Sequence, residues 1–458
     1  MKQQSERLGK EPIPSLLTKL AVPATFGMLV MALYNVVDTI FVARAVGMIG
    51  VSAISIAFPV QMIIMALAGA IGIGGASVIS RMLGANKLED ANQIFGNIIS
   101  MILIVSVSGL VFGLILLEPI LLLFGSSDSI LPYAKDYLGI ILYGTIFFAF
   151  AFSMNNVVRS EGNAKIAMMT MVISACLNIV LTPLFIFVFG LGIKGSALAT
   201  VVSQGVTAIY LLYYFVAGKS SLSFNPSYFK LKITVIKQIL SIGSSAFVQQ
   251  ASGSIMFVFA NHMLVFYGGD LAVGVFGIIH KILMFSLMPI VGIVQGLLPI
   301  VGYNYGANQH ERVTESIGLA FKAATAIVAI SFVIIMVFPT ALMLIFTNET
   351  AAIEMGQIAL RIMFALSLTI GIQMVTGGVF QALGNAKVAL ILSISRQVVF
   401  LIPLILILPM MFKLTGIWMA FPIADILSFG LALLYMKKHD SIFFKKVQVA
   451  TEVESYGK

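Results

Sequence analysis

GNAK stands at residues 162–165 and again at 384–387, and GAN stands at 84–86 and again at 306–308. Gly84 to Gly162 is 162 − 84 = 78 residues, and Gly306 to Gly384 is 384 − 306 = 78. The two pairs are offset by 306 − 84 = 222 residues. One match could arise by chance; a pair at identical spacing reads as a duplicated unit. LTPL at 181–184 against LIPL at 401–404 is a further echo, slipped by two residues.

Each unit is built of apolar runs. The chain has 458 residues, 60% of them hydrophobic and 10% charged, where a soluble domain is about a quarter charged. Most of this surface must face hydrocarbon. A helical span needs roughly 20 mostly apolar residues. Twelve such runs lie near 14–43, 51–80, 92–117, 131–158, 166–190, 195–217, 237–267, 271–303, 313–338, 352–381, 388–411 and 414–436. Continuous apolarity without period-2 alternation argues for helices over a β-barrel. The expected fold is therefore an all-α polytopic membrane protein with twelve transmembrane helices in two six-helix bundles related by a pseudo-two-fold. The expected division is an N-terminal bundle over 1–217, a linker over 218–236, a C-terminal bundle over 237–440 and a tail over 441–458.

The net charge of +9 is distributed in a way that argues against a nucleic-acid partner. Lys2, Arg7, Lys10 and Lys19 precede the first span, and Arg81, Lys87, Arg159, Lys165, Lys219, Lys230, Lys232, Lys237, Arg312 and Lys387 follow the even-numbered spans. The C-terminus adds Lys437, Lys438, Lys445 and Lys446, while the opposite loops hold only Arg44, Lys135, Lys194 and Lys413. This is the positive-inside pattern. It predicts an inner (plasma) membrane protein with both termini cytoplasmic. No small-residue cleavage site follows a short apolar core, so the first span reads as mature protein. The one cysteine, Cys176, excludes an intrachain disulfide.

Six spans per unit give both units the same orientation. Parallel repeats of this kind are typical of transporters, with substrate bound between the halves near mid-membrane. A membrane enzyme would need clustered His, Asp or Glu. The chain has four scattered His and one Cys, with no HExxH and no Walker-A loop. No cofactor and no metal site are expected, and a monomer is. A channel gains nothing from tandem six-span halves.

The most informative polar residue is Asp38, flanked by Val36, Val37, Ile40 and Phe41. A carboxylate near a helix centre costs about 3 kcal/mol on insertion scales. That is enough to bring uptake and release of a proton within reach of physiological pH. The competing reading is a solvated acid near the outer end of the span, a few residues before Arg44. Pro23, Pro183 and Pro403 lie inside spans and should bend them. Glu118 and Asp128 read as outer-connection residues, Arg159 and Glu161 as a cytoplasmic loop pair, and Asp425 as paired within the last span. His280 and Lys281 either face the cavity or bridge to a loop. The 25 Met and 34 Phe suit a permissive apolar pocket, although most must face lipid or pack helices.

Ala21-Val22-Pro23, YNVVDTIFVARAVG at 34–47, SRMLGAN at 80–86, RSEGNAK at 159–165, LNIVLTP at 177–183, GIKGSALAT at 192–200 and GYNYGAN at 302–308 together resemble the multidrug and toxic compound extrusion (MATE) family over roughly residues 10–440. The resemblance implies two bundles forming a V around a central cavity, and export of bulky, often cationic organic compounds driven by H⁺ or Na⁺ entry. It is similar to the bacterial and archaeal branch whose acid lies in the N-terminal half, which places the first-helix acid at Asp38. The family's second acid, in the fifth span, is here Thr182. A proton needs one titratable group and Na⁺ several oxygens, so H⁺ is the expected coupling ion and Na⁺ the alternative. Asn178 lies one turn before Thr182 on the same face. Thr200 and Asn156 match polar family positions. These four are expected to form a hydrogen-bonded set around Asp38, or else to join helices. Tyr34, Asn35, Gln249, Gln250 and Gln373 are candidates for contacting substrate. Gln249, Gln250, Asn261 and Gln373 stand where a C-terminal acid would, which argues against a second ion site. A lipid or lipid-linked precursor flippase of the same superfamily is the nearest rival. Such proteins often have a basic cavity, whereas the embedded cations here are few: Lys281, Arg361 and Arg396.

Overall fold

A computed structural model describes residues 2–124, 126 and 128–443. Among them every regular element is helical. A short helix α1 (Lys2–Lys10) precedes α2 (Ile13–Val46), α3 (Met48–Gly84), α4 (Leu88–Ile115), α5 (Leu117–Leu123), α6 (Leu131–Tyr143), α7 (Thr145–Ser160), α8 (Ala164–Pro183) and α9 (Ile193–Val216). The second half holds α10 (Ile233–Gly306), α11 (His310–Val337), α12 (Pro339–Leu344), α13 (Thr350–Phe364), α14 (Leu368–Ala382), α15 (Ala386–Ile394), α16 (Ile402–Lys438) and α17 (Asp440–Phe443). Lys445 and Lys446 lie outside the described residues.

The described helices give twelve spans. Nine stretches are long and apolar enough to cross a membrane, and α6 with α7 and α13 with α14 are two more, each bent by 53° at its break. The stretch Ala386–Lys438 has 53 residues, about 80 Å of helix against a core of about 30 Å. It reverses at Lys413, where φ is 51° and ψ −135°, and so supplies two spans. The fourth and tenth spans are therefore bent helix pairs rather than the straight runs 131–158 and 352–381. Around the duplicated prolines the helices widen: π-helical turns follow Pro183 (Leu184–Val188) and precede Pro403 (Ser395–Leu401). Pro23 is accommodated inside a continuous α2.

The repeated tetrads are turns. Gly162 and Gly384 have φ of 83° and 77°, a left-handed conformation that costs glycine nothing. The following asparagines cap the next helices: Asn163 Oδ1 accepts from Ile166 N, and Asn385 Oδ1 accepts from Val388 N. Asn86 and Asn308 take φ of 58° and 57°. At the other membrane face the hairpin glycines Gly47 and Gly269 match, at 77° and 66°. The duplication is thus written in backbone angles as well as in letters.

The halves meet through the same operation. A methyl group on Gly84 would collide with the Tyr303 carbonyl, and one on Gly306 with the Arg81 carbonyl; the partners are offset by 303 − 81 = 222 and 306 − 84 = 222. Deeper in, Gly74 approaches Gly243 while Gly296 approaches Ala21. Small residues let helix backbones touch, and contact packing is what holds helices together in lipid. Arg81 Nη1 donates to Leu383 O (3.3 Å) and Ser77 Oγ to Gln381 O across the same seam.

Packing is shared at one end only. One buried cluster, with Leu8, Phe95, Ile300 and Phe380, takes residues from both halves near the basic loops. Toward the opposite face it divides into a C-terminal cluster around Phe276 and Trp418 and an N-terminal one around Leu121 and Leu138. The molecule is a V whose apex lies at the basic end.

The connection between halves is fastened. Asn97 accepts from Lys232 N and Ser100 donates to Phe229 O. Glu161 lies just beyond α7, is 1% exposed, and accepts from Tyr214 Oη, Ser220 Oγ, Ser221 N and Leu222 N. It does not pair with Arg159, contrary to the sequence expectation. Two residues apart at the end of α7, the side chains point to nearly opposite sides and find different partners. Burial pushes the Glu161 carboxyl up to about 7 from an ordinary 4.5. A carboxyl whose folded pKa is raised contributes stability that is complete below about 4.5 and is lost as pH rises through about 7, a change of about 3 kcal/mol. Glu161→Gln keeps an acceptor for the two amides and is expected to remove this slope. Melting midpoints at pH 5 and pH 8 should differ by less in the variant, which should be the more stable protein at pH 8.

Candidate functional site

The α2 helix carries Asp38 two turns before its end at Val46. The side chain turns inward between α8 and α9 rather than toward a loop. Thr182 Oγ1 lies 3.0 Å from Asp38 Oδ1, and Ser196 Oγ lies 3.1 Å from both Oδ1 and Oδ2. Thr182 Oγ1 is also 3.3 Å from Asn178 Oδ1, and Asn178 Nδ2 donates to Thr200 Oγ1 at 3.1 Å. Asn178, Thr182 and Ser196 are all buried. Asn178 and Thr182 are one turn apart on α8, as are Ser196 and Thr200 on α9, so each pair shares a face. Among the described residues Asp38 forms no ion pair.

Sequence reasoning named four of these five residues and missed Ser196. Its signal was available: it lies one turn before Thr200, within GIKGSALAT. Asn156 is placed elsewhere. It donates to Phe152 O (2.9 Å) and borders a small cavity at the floor of the V with Ser77, Arg159 and Gln295. It belongs to the basic end of α7, whereas Asp38 belongs to the far end of α2, so the two do not form one set.

Tyr34 lies one turn before Asp38 on α2. The side chain of Asn35 lies outside the described residues. Gln249 is exposed, and Gln250 Nε2 lies 3.8 Å from Met62 Sδ across the two halves. Gln373 is tied into its own half: Nε2 donates to Asp425 O (2.7 Å) and Thr369 Oγ1 (3.2 Å). Asp425 pairs with Arg396 at 2.6 Å, a partner from the preceding span rather than its own. Removing Arg396 would leave the Asp425 charge buried and uncompensated. The His280 ring packs edge-on against Phe257 with centroids 4.4 Å apart, while Lys281 is exposed. Glu118 pairs with Lys135 (2.6 Å) beside the outer connection. Arg159 is 8% exposed, has Nη2 3.3 Å from the Met171 sulfur, and adds a buried cation that sequence reasoning had assigned to a loop.

A lone carboxylate ringed by neutral donors can do one thing readily: exchange its charge for a bound cation or proton. No group of three His, Cys, Asp or Glu among the described residues is placed to hold a metal ion.

The MatE family model matches residues 23–184 and 243–407, once in each half. The chain is 28% identical over 430 residues to the multidrug export protein MepA of Staphylococcus aureus (strain MRSA252), covering 93% of this chain and 94% of that protein. It is 27% identical over 413 residues to MepA of Staphylococcus haemolyticus (strain JCSC1435), covering 90% and 91%. Among solved structures, the MATE multidrug transporter DinF-BH in complex with rhodamine 6G superposes with a TM-score of 0.91 at 52% identity, covering 97% of this chain and 100% of that one. A multidrug resistance MATE family transporter of the MOP superfamily in its outward-facing conformation superposes with a TM-score of 0.90 at 28% identity, covering 95% and 97%.

Proposed function

Because this chain belongs to the MATE family of multidrug efflux transporters, we propose that it is an H⁺-coupled antiporter. In this reading it exports bulky lipophilic organic cations across the plasma membrane, with Asp38 as the proton carrier. It needs no cofactor beyond the coupling ion and performs no covalent chemistry. The basic loops face the cytoplasm, so the V, closed at its basic end, is the outward-facing state.

The observation that carries the reading is the Asp38 cluster. Thr182 has one hydroxyl proton and two acceptors in reach, Asp38 Oδ1 at 3.0 Å and Asn178 Oδ1 at 3.3 Å. With Asp38 ionised, the hydroxyl donates to the carboxylate. With Asp38 protonated, the acid donates to Thr182 Oγ1, and Thr182 turns its proton to Asn178. Proton uptake at α2 thereby re-polarises hydrogen bonds running through α8 to Thr200 on α9. One proton thus changes the hydrogen bonding of residues on three helices. Thr182 in place of a second acid supports H⁺ over Na⁺, since a desolvated Na⁺ prefers more full charge. DinF-BH, at 52% identity, has been seen with rhodamine 6G, which makes that dye the first substrate to try.

The deciding experiment is efflux of the rhodamine dye from proteoliposomes under an imposed pH gradient or an imposed Na⁺ gradient. Efflux under the first and none under the second is expected; the reverse would replace H⁺ by Na⁺. Ser196→Ala removes the donor shared by both Asp38 oxygens and is expected to slow pH-driven efflux about tenfold, from the worth of a hydrogen bond to a charged group. Ser196→Thr should retain most of the rate, and Asn156→Ala should leave the coupling ratio unchanged.

A further inference from the structure

At the basic end the chain breaks between α1 and α2, and α1 packs against α10 and α3 while Arg7 and Leu8 face the first turns of α2 and the start of α8. Between them lies a cavity of about 590 Å³. Its polar side carries three cations, Arg7, Lys19 and Lys165; its other walls include Leu16, Leu20 and Met168. Glu11 is the nearby acid: it binds Arg7 (3.0 Å) and Lys19. No carboxylate among the described residues forms an ion pair with Lys165. Three cations against one carboxylate leave the pocket with a net positive charge.

The apolar walls do not end at the cavity. They run along α2 onto Val22 and Phe26, which are 59% and 52% exposed. A site that is cationic at the membrane surface and apolar toward the bilayer is matched to an amphiphile with an anionic head, and the leaflet at this face holds such lipids. A soluble phosphate would leave the apolar half of the lining wet.

We infer that this pocket binds an anionic phospholipid of the inner leaflet, with its phosphate between Lys165 and the Arg7–Lys19 pair and an acyl chain along Val22 and Phe26. The position gives the lipid a consequence. α1 is fastened to the C-terminal half, since Asn304 donates to Leu8 O (2.9 Å) and Arg312 donates to Leu8 O (3.1 Å) and Glu11 O (2.6 Å). Lys19 and Lys165 belong to the N-terminal half. A lipid joining them ties the halves together at the apex of the V and favours the state closed at that end.

The test uses the full chain. Purified protein is reconstituted in phosphatidylcholine nanodiscs with and without phosphatidylglycerol, and retained lipid is counted by native mass spectrometry. Wild type is expected to hold phosphatidylglycerol in preference to phosphatidylcholine and to melt at a higher temperature in its presence. Lys165→Gln should weaken that preference about fivefold, the worth of one basic residue at a charged surface, and Lys165→Arg should restore it. Inorganic phosphate should leave the melting midpoint unmoved. Equal retention of both lipids, a preference unchanged in Lys165→Gln, or the same stabilisation by inorganic phosphate would each overturn the assignment.

Discussion

Asp38→Asn is expected to abolish pH-driven efflux of the rhodamine dye while leaving a folded protein that still binds it. The substitution is close to isosteric, and the amide can still accept from Thr182 and Ser196, which stand 3.0 and 3.1 Å away. What it loses is the ability to change charge. An exporter coupled through this group then has nothing to carry inward, and the loss is total rather than partial. Stability is not expected to fall, because a neutral side chain at a site without a cation avoids the cost of a buried unpaired charge. Asp38→Glu keeps the charge but lengthens the side chain by one methylene in a buried set, so a reduced and still pH-dependent rate is expected. Two measurements on the Asn variant decide the matter: dye binding to the purified protein, and efflux under a pH gradient. Binding without efflux is the expected pair. Wild-type efflux by Asp38→Asn would remove the proton carrier from the mechanism altogether.

The parts of this molecule that were legible in the sequence are those set by solvent and by backbone chemistry. Hydrocarbon demands long apolar runs, so twelve of them announce twelve spans. Gly162 and Gly384 announce turns because a positive φ favours glycine. Asn178 and Thr182 could be paired because four residues are one turn. What stayed hidden depends on which face of a helix meets which neighbour. Ser196 looked like one more small residue in an apolar span, yet it touches both oxygens of Asp38. Asn156 looked like a partner of Asp38 until the direction of α7 put it toward the basic end, beside the cavity at the floor of the V. Arg159 and Glu161 sit two apart at a helix end, so they point to nearly opposite sides, one into the floor of the V and the other to the linker. Asp425 found its cation in another span because the π-helical turn Ser395–Leu401 carries Arg396 toward it.

The seam between the halves gives the second large effect. Gly306→Ala sets a methyl group against the backbone carbonyl of Arg81, and Gly84→Ala sets one against that of Tyr303. Neither neighbour is a side chain that can rotate away, so the helices must separate. Overpacking of this kind costs about 1–3 kcal/mol, and each 1.4 kcal/mol is about tenfold in a two-state equilibrium. The closed apex exists in one of the two states that alternating access requires. Either substitution should therefore deplete that state and slow efflux by about ten- to a hundredfold. Because the two contacts are images of each other under the 222-residue repeat, the two variants should be similar in size. Because they open the same crossing, the double variant should cost less than the two together. Gly318→Ala, where nothing lies within 4 Å of the new methyl, is the control and should transport normally. Distances between spin labels on the outer tips of the two halves would report the shift directly, with the seam variants closing that end and the control leaving it open. Wild-type transport by Gly306→Ala would mean that the apex is not a closed gate in the working cycle.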